Sequence, residues 1–128
     1  MTTVRLSYAT VPASDLERAR AFYADKLGLH PAHYLEAGTF YRVGSSWFAL
    51  YPSSFAGSAD HTILGLDVEN IQAEVAALRA RGVTFEEYDF PGLKTEDGIA
   101  DLGDYRAAWF RDREGNIVML AQLSAPPF

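Results

Sequence analysis

The sequence contains no cysteine, which excludes disulfides, thiolate-bound zinc and a cysteine nucleophile together. Long hydrophobic runs are also missing: the longest apolar stretches span about five residues, against the roughly 20 a membrane-crossing helix needs. No N-terminal segment joins basic residues to an apolar run of signal-peptide length. Positive charge is scarce, with 11 Lys and Arg against 17 Asp and Glu and a net charge of −6. That balance opposes the counterion release that drives nucleic-acid binding. No segment matches a phosphate-cradling glycine loop or a nucleophile elbow, so neither nucleotide cofactors nor a serine triad is implied. The expectation is a soluble, cytoplasmic protein without nucleic-acid or membrane partners.

What is present suits an ordinary globular chain: 48% of residues are hydrophobic and 22% charged, which sets wholesale disorder aside. Its 128 residues fit one domain with a real core. In "TVRLSYATV", Val4, Leu6, Tyr8 and Thr10 alternate as one face of a strand. "SDLERARAFYADKLGL" follows, with Ser14 or Asp15 as N-cap, Leu16, Ala19, Phe22, Tyr23 and Leu27 at helical spacing, and Gly28 as the stop. "HYLEA", "TFYRV" and "SWFALYP" read as three short strands.

The second half repeats this plan. The strand "HTILGLDV" leads into the helix "ENIQAEVAALRARG", whose Ile71, Val75, Leu78 and Arg81 share a stripe, and Gly82 ends it. "VTFEEYDF", "RAAWFRD" and "NIVMLAQL" complete three further strands. The caps Asp15 and Asn70 stand 55 residues apart and the stops Gly28 and Gly82 stand 54 apart, so one single-residue gap aligns the halves. Two copies are too few for a solenoid. They read as two βαβββ modules, about 1–55 and about 58–124, sharing a core.

"VPASDLERARAFYADKLGL" and "WFRDREGNIVML" resemble the opening and closing signatures of the vicinal oxygen chelate superfamily, which embraces glyoxalase I, extradiol dioxygenases, fosfomycin-inactivating transferases and bleomycin-binding proteins. The resemblance covers essentially the whole chain as a single domain, 1–128. It implies an α+β fold in which two βαβββ modules form a curled eight-stranded cup, helices on the convex face and ligand on the concave one. The apolar run "IVML" fits a strand covered on both faces.

In metal-using members, four inward positions hold a divalent ion. Transferred position by position, these fall on Tyr8, Ala49, Ile63 and Met119. Hard cations want oxygen donors and zinc wants three or four nitrogen, oxygen or thiolate ligands. Ile63 and Ala49 offer no donor, Met119 only a thioether, and one phenol cannot hold an ion alone. The expectation is that the metal site is absent and that no cofactor is used.

The same positions suggest a ligand surface: Tyr8 and Thr10 from the first strand, Trp47 and Tyr51 from the fourth, His61 and Asp67 from the fifth, Ile117 and Met119 from the last. Trp109 joins them if its register allows. Rings with polar tips suit flat, partly apolar ligands; used otherwise, they simply fill the core. His61, two residues before Ile63, and Tyr8 are the candidate catalytic groups. His30 and His33 flank Pro31 and read as solvated loop. The long insert "PGLKTEDGIADLGDY" has the length of a lid, and its net acidity favours a neutral or cationic ligand.

Three functions follow. The first is a metal-free binding protein of the bleomycin resistance type, homodimeric, holding an aromatic or cationic small molecule. The second is an acid-base enzyme acting through His61, Tyr8 or Asp67 on a carbonyl or enolisable substrate. The third is a metal-dependent lyase or dioxygenase with shifted ligands, such as His61 with Glu86 or Asp67. The residues leave open whether the chain is an enzyme, of lyase, isomerase or dioxygenase type, and which ligand it takes.

Overall fold

A computed structural model describes residues 3–125. The chain forms two compact units, Met1–Ser58 with Arg113–Asn116, and Ala59–Asp112 with Ile117–Phe128.

The first unit runs β1 (Ala9–Ala13), α1 (Leu16–Leu27), β2 (His33–Leu35), β3 (Gly38–Val43) and β4 (Ser46–Pro52). Its sheet has the order β1-β4-β3-β2, with β1 parallel to β4 and the other pairs antiparallel. Asp15 caps α1 by accepting the Arg18 N–H at 3.1 Å, which satisfies one of the donors a helix start leaves free. Gly28 ends it at φ +67, a left-handed geometry that costs glycine nothing. Strand alternation then sorts the sheet into two faces. Val11, Ala13, Tyr41, Phe48 and Leu50 are buried with Ala19 and Tyr23 of α1, and Tyr41 stacks on Phe48 with centroids 4.7 Å apart. Each large side chain removed from water here stabilises the unit by about 1.5–3 kcal/mol before entropy is counted.

Glu114 fastens the start of α1. Its carboxylate accepts from Ser14 Oγ at 3.0 Å, the Asp15 N–H at 2.9 Å and Arg18 Nε at 2.7 Å, and its side chain is fully buried. Burial alone would push this carboxyl up. The hydrogen bonds from Arg18, Asp15 and Ser14, with the Arg18 charge, outweigh it and hold the group at about 2. Asn116 closes the same corner, donating to the Pro12 carbonyl at 2.8 Å and accepting the Gly57 N–H at 3.2 Å.

The second unit runs β5 (Thr62–Asp67), α2 (Ile71–Ala80), β6 (Asp89–Phe90), β7 (Leu93–Glu96), β8 (Ile99–Asp101), β9 (Tyr105–Arg111) and β10 (Ile117–Leu123). The order β5-β10-β9-β8-β7-β6 opens with the plan of the first sheet, β8 standing where β2 stands there. Asn70 caps α2 through the Ala73 N–H, 55 residues after Asp15 caps α1, so the duplicated βαβββ pattern is realised in an α+β chain. The "IVML" run is covered on both faces: Val118 and Leu120 are buried on the α2 side, and Ile117 and Met119 pack with Trp109, Ala107 and Ala100 on the other.

Four sequence expectations change. The insert at 91–105 is not an unstructured lid; it supplies β7 and β8. Asp97 and Gly98 between them have φ of +54 and +83, the paired positive values of a two-residue hairpin turn. The strand expected at Val83–Phe90 shrinks to a bridge between Phe85 and Phe110 and the short β6, because β8 takes the adjoining edge of β9. His33 lies in β2 and not in a loop. β1 also starts only at Ala9, leaving Val4 and Leu6 exposed outside it.

Candidate functional site

The face of the first sheet away from α1 is open and aromatic. Register sets its pattern: Thr10 pairs with Ala49, Ala49 with Phe40, and Phe40 with His33, so these four side chains cross the sheet in one row. Ala49 is 3% exposed and forms a small floor between Trp47 and Tyr51, its neighbours on the same face of β4. The Tyr8 ring meets Phe40 edge-on at 5.0 Å. The His33 ring lies parallel to Trp47 at 5.7 Å, with an interplanar angle of 8°. Tyr8 keeps 47% of its surface exposed and Tyr51 36%.

Of the sequence candidates, Tyr8, Thr10, Trp47 and Tyr51 therefore share one face. His33 and Phe40 belong with them and were missed as site residues. Their signal was available: Glu36 and Ala37 form a two-residue turn that pairs Leu35 with Gly38 and so carries His33 and Phe40 to one side.

In the second unit, Trp109, Ile117 and Met119 also come together, but in a packed cluster with Tyr88 and Leu93. Trp109 is 8% exposed and meets Tyr88 edge-on at 5.5 Å; burial pushes the Tyr88 phenol up. His61 is exposed just before β5, its Nδ1 donating to the Thr62 carbonyl at 3.0 Å. A register shift follows, in which Ile117 pairs with Thr62 while Val118 pairs with Leu64. Such a bulge breaks the alternation that placed His61 with Ile63 on one face. Asp67 lies at the far end of β5, about 20 Å along the strand from His61 at roughly 3.3 Å per residue. Glu86 is engaged by Arg111 Nε at 2.9 Å. His61, Glu86 and Asp67 thus do not form a joint donor set.

Of the residues onto which the resemblance transfers the ligand positions, Tyr8 carries a phenol, Ala49 a methyl group, Ile63 a branched alkyl chain and Met119 a thioether. Among the described residues, no three His, Cys, Asp or Glu side chains gather as a possible metal site.

The fold recurs among solved structures. UcmS2 superposes with a TM-score of 0.73 at 23% identity, covering 94% of this chain and 98% of its own. FosX from Listeria monocytogenes, a genomically encoded fosfomycin resistance protein, gives 0.68 at 15% identity, covering 94% of each chain. The lactoylglutathione lyase of Agrobacterium tumefaciens gives 0.66 at 18%, again covering 94% of each. At these identities the likeness is one of fold, which hosts unrelated chemistries. No curated protein matches the chain in sequence. The family model for the Glyoxalase/Bleomycin resistance protein/Dioxygenase superfamily matches residues 5–120, nearly the whole chain, and the protein is a member of that superfamily.

Proposed function

We propose that the protein binds a planar, largely apolar small molecule on the open face of its first sheet, without a metal ion and without turnover. The observation that carries this reading is the ring array itself. Tyr8, Phe40, His33, Trp47 and Tyr51 surround the small floor at Ala49, and Tyr8 and Tyr51 remain open to solvent. Aromatic faces hold flat ligands by stacking, and phenol and imidazole tips add directional hydrogen bonds. The net charge of −6 favours a neutral or cationic ligand over an anion, and ring faces attract cations.

The acid-base alternative needs a base and an orienting partner in reach of each other. His61 spends its Nδ1 on a neighbouring carbonyl and has Asp67 at the opposite end of its strand, which supports binding over catalysis. Homodimerisation and a cytoplasmic location belong to the same proposal; among the described residues no helix is long and apolar enough to cross a membrane.

Proflavine, a planar aromatic cation, is a direct probe. Its fluorescence should report saturable binding that Trp47→Ala and Tyr51→Ala weaken about tenfold or more, as the loss of one or two stacking contacts requires, while His61→Ala leaves it unchanged. Binding indifferent to Trp47 and Tyr51 would remove the proposal.

A further inference from the structure

We propose that the second unit carries a separate binding site for a small organic monocarboxylate, in the groove between α2 and the β7–β8 hairpin. The groove encloses about 500 Å³, within the range of small-molecule sites. The first sheet stops at β2 and has no counterpart of this hairpin, so the site is particular to the second unit and does not rest on the aromatic face of the first.

Two guanidiniums line the groove and differ in state. Arg79 is committed: Nη1 meets Asp97 Oδ1 at 3.0 Å, Nη2 donates to the Asp97 carbonyl at 3.1 Å, and the group lies over the Phe85 ring at 5.6 Å. These contacts hold Asp97 at its left-handed φ of +54 and fix the hairpin tip against the helix. Arg106 is uncommitted. It stands opposite Asp101 on β8 and Gln122 on β10, and Gln122 accepts the Ile71 N–H at the start of α2, so this is the helix side of the sheet. The Asp101 carboxylate turns instead to the Gly103 N–H at 3.0 Å. Among the described residues the Arg106 guanidinium has neither a hydrogen bond nor an ion pair, although the side chain is half-buried at the groove.

The chemistry of the lining selects the ligand. A planar guanidinium fork pairs best with a carboxylate or a phosphate. Glu96, also on the groove and unpaired among the described residues, repels a second negative charge, which favours the singly charged carboxylate over phosphate and can accept a hydrogen bond from the ligand. Val75 and Ile99 offer apolar contact to a short hydrocarbon body. The ligand class is therefore a carboxylic acid with a compact apolar group.

The test is calorimetric titration with 3-phenylpropanoate and its neutral isostere 3-phenylpropanamide. The acid should bind saturably at one site per chain, and the amide about tenfold more weakly or worse, as expected for loss of a charge-assisted pair. Arg106→Gln should erase the preference for the acid, and Gln72→Trp, which fills the groove from an exposed helix position, should block both ligands with the fold intact by circular dichroism. Trp47→Ala should change nothing. Absence of saturable binding, equal affinity for acid and amide, or full affinity in the folded Gln72→Trp variant would each overturn the proposal.

Discussion

Replacing Glu114 by Gln isolates the strongest electrostatic device in the chain. The carboxyl sits at about 2 instead of its ordinary 4.5, and each unit of that difference is worth about 1.4 kcal/mol, so the folded state gains about 3 kcal/mol from the ionised form. A depressed carboxyl stabilises above its unfolded value and loses that contribution as pH falls through its folded value. The wild-type advantage over Glu114→Gln should thus be about 3 kcal/mol at pH 7 and shrink towards zero between about pH 4.5 and 2. Glutamine keeps a carbonyl oxygen for Ser14 and the Asp15 N–H, and Arg18 is 42% exposed and can turn to water, so no charge is stranded. Urea unfolding of both proteins across this pH range measures the difference directly. An advantage that stays constant with pH, or is absent at pH 7, would refute the assignment of Glu114 as an ionised anchor.

Tyr41→Phe should be neutral or stabilising by up to about 1 kcal/mol, because the Tyr41 hydroxyl is buried without a hydrogen-bond partner among the described residues and deleting it removes a desolvation cost; a destabilisation in urea unfolding would show a hidden partner. Burial pushes this phenol up to about 12, so wild type should also lose more stability than the Phe variant as pH climbs from 10 to 12. Gly57→Ala should destabilise by about 2 kcal/mol or more, since φ is +77 and the new Cβ would lie 2.6 Å from the Glu114 carbonyl oxygen, a clash of the kind that strained backbone cannot absorb cheaply; an unchanged unfolding midpoint would contradict it.

Local chemistry made much of the fold legible. Asp15 and Asn70 cap, Gly28 and Gly82 stop, and the apolar run at Ile117–Leu120 announced a strand packed on both sides. Three features stayed hidden because they depend on partners distant in sequence. Alternation is weak in the "LKTE" and "IAD" segments, so β7 and β8 emerge only when β9 offers an edge. The acidic "DREGN" turn conceals Glu114's burial until Arg18 and the start of α1 meet it, about 100 residues away in sequence. At the site, alternation was enough to group Thr10, Trp47 and Tyr51, whereas His61 lost its place through a bulge that no local pattern encodes. Trp109 illustrates the opposite outcome for an aromatic residue: it fills its own unit instead of facing solvent.

The central claim is that this member of the superfamily offers a ring-lined surface in place of a metal centre. Elemental analysis of the purified protein after equilibration with zinc, manganese, nickel and iron salts tests it most directly. The account predicts no stoichiometric ion and proflavine binding indifferent to a chelator. One tightly held ion per chain, lost in His61→Ala, would contradict it and make metal chemistry the leading reading.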